Sequence, residues 1–375
     1  MIYLDNAATT MPDEQVLSVM SEVAAEYWGN PSSLYRLGFN ATKRLEQSRK
    51  TVADAFGCQL QELYFTASGT ESNNIAVLGA ARARKNFGEE IVVSGYEHPS
   101  VFDTVNSLAD EGFNVVVISP NKGGIIEVGD IVSRVQKKTA LVAVMSVNNE
   151  TGAEINVADL AKRVKEKNIR TAVHCDHVQG FMKSRQMLAG TLVDTASISA
   201  HKLHGPKGIG ALYIRKGFNI KPVLHGGGQE RGLRSGTENV AFAAAFAKAL
   251  QCFDAKSVRK NAMHLNKMLR ERLLAIDGVK IHSAGSALPF ILNFSVLGFR
   301  SETMLHFLDE HGVLVSSGSA CSKGGESRTL RSMSLSNSEI DSALRVSFSK
   351  HSTVEDVGQL VSLIQKLKRQ LVGSL

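Results

Sequence analysis

"VADLAKRVKEKNIRTAVHCDHVQG", residues 157–180, contains a helix followed by a short strand that stops at Asp176. In doubly wound sheets the carboxyl ends of strands face the ligand crevice, so a carboxylate at such a stop lies where chemistry is placed. The same alternation runs outward in both directions. Helical stretches rich in Ala, Leu, Lys and Glu alternate with short Val/Ile runs such as "EIVVS", "NVVVIS" and "ALVAVMSV", which predicts an α/β chain with a mostly parallel sheet. The 375 residues, 43% of them apolar, exceed one ordinary domain, so two domains are expected. No internal repeat or low-complexity tract interrupts the pattern.

Several function classes are disfavoured at this level. The longest apolar run, within "ENVAFAAAFAKAL", is too short to cross a bilayer, and "MIYLDNAATTMPDE" carries acid where a signal peptide would carry Lys or Arg. A cytoplasmic protein is therefore expected, with no membrane partner. Cys58, Cys175, Cys252 and Cys321 are widely separated, as free thiols in a reducing compartment would be. The net charge of +7 is spread over helix-like segments such as "RKNAMHLNKMLRER", which reads as solvated helix faces and not as a nucleic-acid site. A basic surface of this kind attracts acidic proteins or anionic cofactors.

Residues 62–85, "ELYFTASGTESNNIAVLGAARARK", read as a strand over Leu63 to Thr66, a turn holding Ser68, Gly69 and Thr70, and a helix on which Ile75, Leu78 and Ala81 share a face. Glycine lets backbone amides approach an anion, the hydroxyls add donors and the helix N-terminus adds its dipole, so a phosphate fits there. A plain Ser/Thr N-cap explains the same residues. A nucleotide P-loop does not, since its glycine and lysine spacing is missing. In "VHCDHV" the cluster His174, Cys175, Asp176 and His177 invites a metal reading. An extended chain, however, turns His174 and Asp176 to one face and Cys175 and His177 to the other, so no metal centre is expected.

In "DTASISAHKLHGPKGIGALYIRK", residues 194–216, His201 and Lys202 follow a short strand and precede a loop shaped by Gly205, Pro206, Gly208 and Gly210. A lysine held among small apolar residues can act as an amine nucleophile. A phosphate-binding helix start, a carboxylate at a strand end and a lysine on the next connection, in that order, together point to pyridoxal phosphate. Its phosphate needs the helix N-terminus, its pyridine nitrogen needs an acid, and its aldehyde needs a lysine for the Schiff base. One further stretch stands out. "SSGSACSKGGES", residues 316–327, surrounds Cys321 with Ser, Gly and Ala, leaving it no large apolar neighbour to bury it.

With these residues in view, the sequence resembles the cysteine desulfurases of the class V pyridoxal-phosphate-dependent aminotransferases, the NifS/IscS-like group. The likeness runs through "YLDNAATT", "GNPSS", "SGTESNN", "YEHPS", "VNNETG", "CDHVQ", "SAHKLHGPKGIGALY", "HGGGQERGLRSGTEN", "SSGSACS" and "LRVSFS". It implies an aspartate-aminotransferase-like fold. A large domain over residues 1–256 would carry a mainly parallel seven-stranded sheet, and a small α/β domain over 257–375 would carry the cysteine loop and pack with the first residues of the chain. It implies a homodimer.

Residue by residue, the resemblance implies that Lys202 forms the Schiff base and moves the substrate's α-proton, that Asp176 pairs with the pyridine nitrogen and that Gln179 reaches the phenolic oxygen. His98 would stack on the ring and handle protons. Gly69, Thr70, Ser199 and His201 would hold the phosphate, Thr237 would serve the other subunit's site, and Asn149 would sit beside cofactor and substrate. Arg345 would grip the substrate carboxylate. Alternation in "ALRVSFS" agrees: it turns Arg345 and Ser347 away from the apolar side bearing Leu344, Val346 and Phe348, and a guanidinium fork matches a carboxylate.

In the implied reaction Cys321 takes sulfur from L-cysteine as a persulfide, releases L-alanine and passes the sulfur to an acceptor such as an iron–sulfur scaffold protein. Gly318, Gly324 and Gly325 would let its loop travel, and Lys323 would favour the thiolate. Alternatives on the same fold are a selenocysteine lyase or an aminotransferase. Another of a different class is a catalytically silent scaffold or nucleic-acid-binding subunit. The chain departs from the usual family wording at Tyr35 and His177, in "SFSKHST" and in the loop after Cys321.

Overall fold

The computed structural model describes residues 1–317 and 327–372. Cys321, Lys323 and the glycines Gly318, Gly324 and Gly325 lie outside the described residues. Seven strands form one sheet in the spatial order Leu63–Thr66, Gly210–Ile214, Thr195–Ser199, Ala172–Asp176, Thr139–Met145, Glu90–Ser94 and Asn114–Ile118. Only Gly210–Ile214 runs against the rest, being antiparallel to both of its neighbours. The other six all end at the same edge, which places the turns after them side by side.

The inner strands are buried along their whole length because the sheet is covered on both faces. Successive residues feed different layers. Ile91 and Val93 pack with Ile75, Ala76 and Val101, whereas Val92 packs in the other core layer, which also holds Leu160 and Val164. The helix Val157–Lys167 starts where Asn156 accepts a hydrogen bond from the Asp159 amide and ends on Lys165 and Lys167, whose charges suit its C-terminal dipole.

The C-terminal part of the chain builds a three-stranded antiparallel sheet from Ala343–Ser347, Ile291–Val296 and Val279–Ile281. The helices Ala255–Leu274 and Val354–Val372 pack against each other beside it. The first of these begins where Asp254 accepts from the Lys256 and Ser257 amides. At the other end of the chain, Ile2–Tyr3 pairs in parallel with Val313–Leu314. All five residues of Ala343–Ser347 are buried, because the N-terminal segment covers the face on which Arg345 lies.

His174 and His177 are fully enclosed at the end of the central strand, and burial pulls both from an ordinary 6.5 down to about 3. Between those values the unfolded chain binds protons that the folded chain refuses. Stability is therefore complete above the window and falls as the pH drops into it, by up to about 1.4 kcal/mol per pH unit for each such histidine. Chemical denaturation followed from about pH 7 to about pH 5 is expected to show a falling midpoint, and His177→Gln should remove about one proton from that slope.

Candidate active site

The strand ends converge on a cavity of about 370 Å³. Gly69, Thr70, His98, Asn149, Asp176, Gln179, Ser199, His201, Lys202 and Arg345 all line it, although they come from separate turns and two separate sheets. Thr237 does not. It lies in other surface grooves, one of which it shares with Trp28 and Pro31.

Asp176 sits at the carboxyl end of its strand, opposite Met145 and Ser197 on the neighbouring strands. Its Oδ1 accepts from the Val178 amide at 3.0 Å and its Oδ2 from Asn73 Nδ2 at 2.7 Å. Asn73 is the side chain that sequence reasoning passed over. The same Nδ2 also donates to Ser100 Oγ at 2.9 Å, while Asn73 Oδ1 meets His174 Nε2 at 3.1 Å. His174 Nδ1 in turn meets Thr195 Oγ1 at 2.9 Å. Because burial keeps His174 neutral, this pairing fixes its tautomer: Nε2 carries the proton and Nδ1 accepts. His174 and Asp176, two members of the cluster singled out in the sequence, are engaged in these bonds.

His98 precedes the helix Pro99–Ser107 and caps it, its Nδ1 accepting from the Ser100 amide at 3.1 Å. Burial lowers its pKa, opposed by the nearby Asp176 charge and reinforced by Lys202. Glu97, next to it, is fully buried and bonded to Ser94 Oγ and the Met145 amide. Burial, with help from Asp176, pushes its carboxyl well above the usual range.

Lys202 ends the short turn Ala200–Lys202 after the strand Thr195–Ser199. Its Nζ donates to the carbonyls of Ala7 at 2.7 Å and Ala8 at 2.6 Å. Gln179 Nε2 donates to the same Ala7 carbonyl at 2.8 Å, which orients the amide and leaves one more N–H for a ligand. The imidazole of His201 is pulled down to about 3 by burial, with the nearby lysine charges adding to it.

Where a helix start meets the cavity, Ser68 Oγ caps the helix Gly69–Arg84 by accepting from the Glu71 amide at 3.1 Å. The N-cap reading holds for Ser68, and Gly69 and Thr70 line the cavity beside it. A Cβ on Gly210 would stand 2.7 Å from the Ser68 carbonyl carbon and 3.0 Å from the Gly69 amide nitrogen, so the turn closes only over a glycine. Ser199 Oγ and Gln179 Oε1 are buried without a protein partner at the cavity wall. Unpaired buried polar atoms are rare, and they fit a site shaped for a polar ligand with its own donors and acceptors. The donor set suits a phosphorylated pyridine aldehyde: hydroxyl and amide groups at a helix start, a buried carboxylate and an amine.

Arg345 Nη2 bonds Asp5 Oδ1 at 2.7 Å and Nη1 donates to the Asn149 carbonyl at 3.0 Å, while Nε has no partner. The two described ends of the segment carrying Cys321 are tied to the same corner. Ser316 pairs through its backbone with Arg345, and Ser327 Oγ donates to the buried Glu150. His177, the departure beside Asp176, bonds Ser146 Oγ through Nδ1 at 2.8 Å and lies near Phe56 and Phe181. A Cβ on Gly180 would lie 2.6 Å from that Nδ1, so the larger residue at 177 is matched by a glycine at 180.

Comparison with known proteins places this geometry. The family Aminotransferase class-V matches residues 2–360. A protein of Lactobacillus delbrueckii subsp. bulgaricus named as a NifS/IcsS protein homolog is 39% identical, covering 98% of this chain and 97% of its own. The cysteine desulfurase IscS of Clostridium botulinum is 35% identical, covering 98% and 94%. A solved NifS-like protein superposes with a TM-score of 0.92 at 34% identity, over 98% of this chain and 99% of its own.

Replacing Asn73 with Ala strands Asp176 Oδ2 and His174 Nε2 together, while Ser100 Oγ keeps His98 Nδ1. Leaving one buried polar group unsatisfied costs about 1–3 kcal/mol, so denaturant titration of Asn73→Ala is expected to show a loss of at least that size.

Proposed function

The chain belongs to the Aminotransferase class-V family, and on that footing we propose that it is a pyridoxal-phosphate-dependent cysteine desulfurase. It converts L-cysteine to L-alanine and captures the sulfur as a persulfide on Cys321. One observation carries this reading: Asp176, Lys202, His98 and Arg345 line a single cavity although they come from four distant parts of the chain.

Pyridoxal phosphate, when bound, supplies an electron sink that weakens the bonds at the substrate's α- and β-carbons. The residues of the chain do the rest. Gly69, Thr70, Ser199 and His201 would hold the cofactor's phosphate. Asp176, kept in place by Asn73 and the Val178 amide, would hold a proton on the ring nitrogen. Gln179 would offer its remaining N–H to the phenolic oxygen, and His98 would stand beside the ring. Lys202 would supply the amine for the aldehyde and carry the α-proton. Arg345, already oriented by Asp5 and the Asn149 carbonyl, takes the substrate carboxylate as a guanidinium fork. The Cys321 thiolate attacks the substrate sulfur. An S–S bond forms as the C–S bond breaks, the bonding pair passing to the carbon side; a proton added to the β-carbon and the α-proton given back by Lys202 complete alanine.

The reading extends to the assembly. Trp28, Leu34, Tyr35 and Phe39 are exposed apolar side chains, and Trp28 shares a groove with Thr237, as a homodimer interface that lends Thr237 to the partner's site would require. The cavity then lies at the seam between a large domain, residues 1–256, and a small one, 257–375. No helix among the described residues is long and apolar enough to cross a membrane. We place the protein in the cytoplasm, handing sulfur to an acceptor such as an iron–sulfur scaffold protein.

Mass spectrometry after incubation with L-cysteine is expected to show one extra sulfur on Cys321 and alanine in solution. Cys321→Ser should abolish both. Alanine released undiminished by the Ser variant would favour a lyase that needs no thiol, and a thiol-bearing α-keto acid in place of alanine would favour an aminotransferase.

A further inference from the structure

Asp13, His204 and His351 play no part in the reaction above, yet their ligand-capable atoms all lie within 4.8 Å of one another. Each member is arranged unusually. Asp13 occupies the N-cap position of the helix Glu14–Glu26, but its carboxylate makes no capping bond. That carboxylate instead turns to Lys350 Nζ, 2.6 Å from Oδ2, with His351 Nε2 4.0 Å from Oδ1.

His204, two residues beyond Lys202, is buried and adopts φ +62°, a left-handed conformation that a residue with a side chain rarely takes without compensation. Its Nδ1 lies 2.8 Å from the Met11 carbonyl. A carbonyl only accepts, so Nδ1 carries the proton and Nε2 holds the lone pair. This second-sphere arrangement orients metal-ligating imidazoles. The rings of His204 and His351 lie edge to face, 5.2 Å apart.

We propose that Asp13, His204 and His351 form a binding site for a divalent transition-metal ion of the zinc class. Two imidazoles and one carboxylate make the ligand set that borderline ions such as Zn²⁺ and Co²⁺ prefer, with a fourth position open to water. Bonds of about 2.0–2.1 Å set tetrahedrally put ligand atoms roughly 3.4 Å apart. The present spread must close to that on binding, and His351, whose side chain is 52% exposed, is the member least held by packing. The ion takes Asp13 Oδ1 while Lys350 keeps Oδ2, so the ammonium opposes binding by charge repulsion.

The position gives the site its consequence. Its ligands come from the N-terminal turn, the loop carrying Lys202 and the segment that follows the strand of Arg345. An ion there would cross-link the three segments that bring Ala7, Lys202 and Arg345 to the cavity. Positions 13, 204 and 351 are too far apart in sequence for any spacing rule to join them.

Titration of the full-length, cofactor-loaded protein with Co²⁺, followed by visible absorption, tests the site without reference to turnover. The expected result is about one Co²⁺ per chain, with d–d bands and no thiolate charge-transfer band. His351→Ala, a change at an exposed side chain, should weaken binding at least about tenfold, and Lys350→Met should strengthen it by removing the competing cation. Absence of binding, a thiolate band marking Cys321 as the ligand, or an affinity unchanged by His351→Ala would overturn the proposal.

Discussion

A carboxylate buried at the end of a hydrophobic strand must be surrounded by donors, and the site is built outward from the way Asp176 meets that requirement. The Val178 amide takes one oxygen and Asn73 takes the other. Asn73 also reaches Ser100 and His174, so one amide group ties the helix Gly69–Arg84 to the strand of Asp176 and to the turn of His98. A carboxylate so placed stays near the edge where six strands end and cannot swing away. The ring binding proposed above depends on that fixed point.

The second dependency is the N-terminal strap. Asn6 Nδ2 donates to the Ser347 carbonyl and Ser347 Oγ accepts from the Ala7 amide, joining the strap to the strand of Arg345. Thr10 bonds the His201 carbonyl through both its amide and its hydroxyl, joining the strap to the loop of Lys202. Between those anchors the Ala7 carbonyl accepts from Lys202 and Gln179 together. A few residues at the start of the chain therefore set the distance between the amine and the guanidinium, groups that sequence separates by more than a hundred positions.

This explains what was legible in the sequence. Asp176 and Lys202 announce themselves through local pattern, because a strand end and a glycine-shaped loop are properties of neighbouring residues. The helix start at Gly69 is likewise local. Asn73 carries no such mark: an asparagine within a helical stretch reads as solvated until a strand a hundred residues away is seen to need its amide. Asp5 and the Ala7 carbonyl are harder still, since the partner of Arg345 lies at the other end of the chain and a backbone acceptor has no residue identity. His177 looked like an isolated departure and is matched by Gly180, a compensation visible only once both meet Ser146.

The central claim is that Asp176 and Lys202 bracket one aromatic ring. A second buried amine stands near Lys202: burial, aided by the Lys202 charge, lowers Lys183 to about 7. Borohydride reduction of the protein loaded with pyridoxal phosphate, followed by peptide mapping, locates the anchored group directly. The account predicts a single pyridoxyl adduct on Lys202. An adduct on Lys183 or on a surface lysine, with Lys202 unmodified, would contradict it.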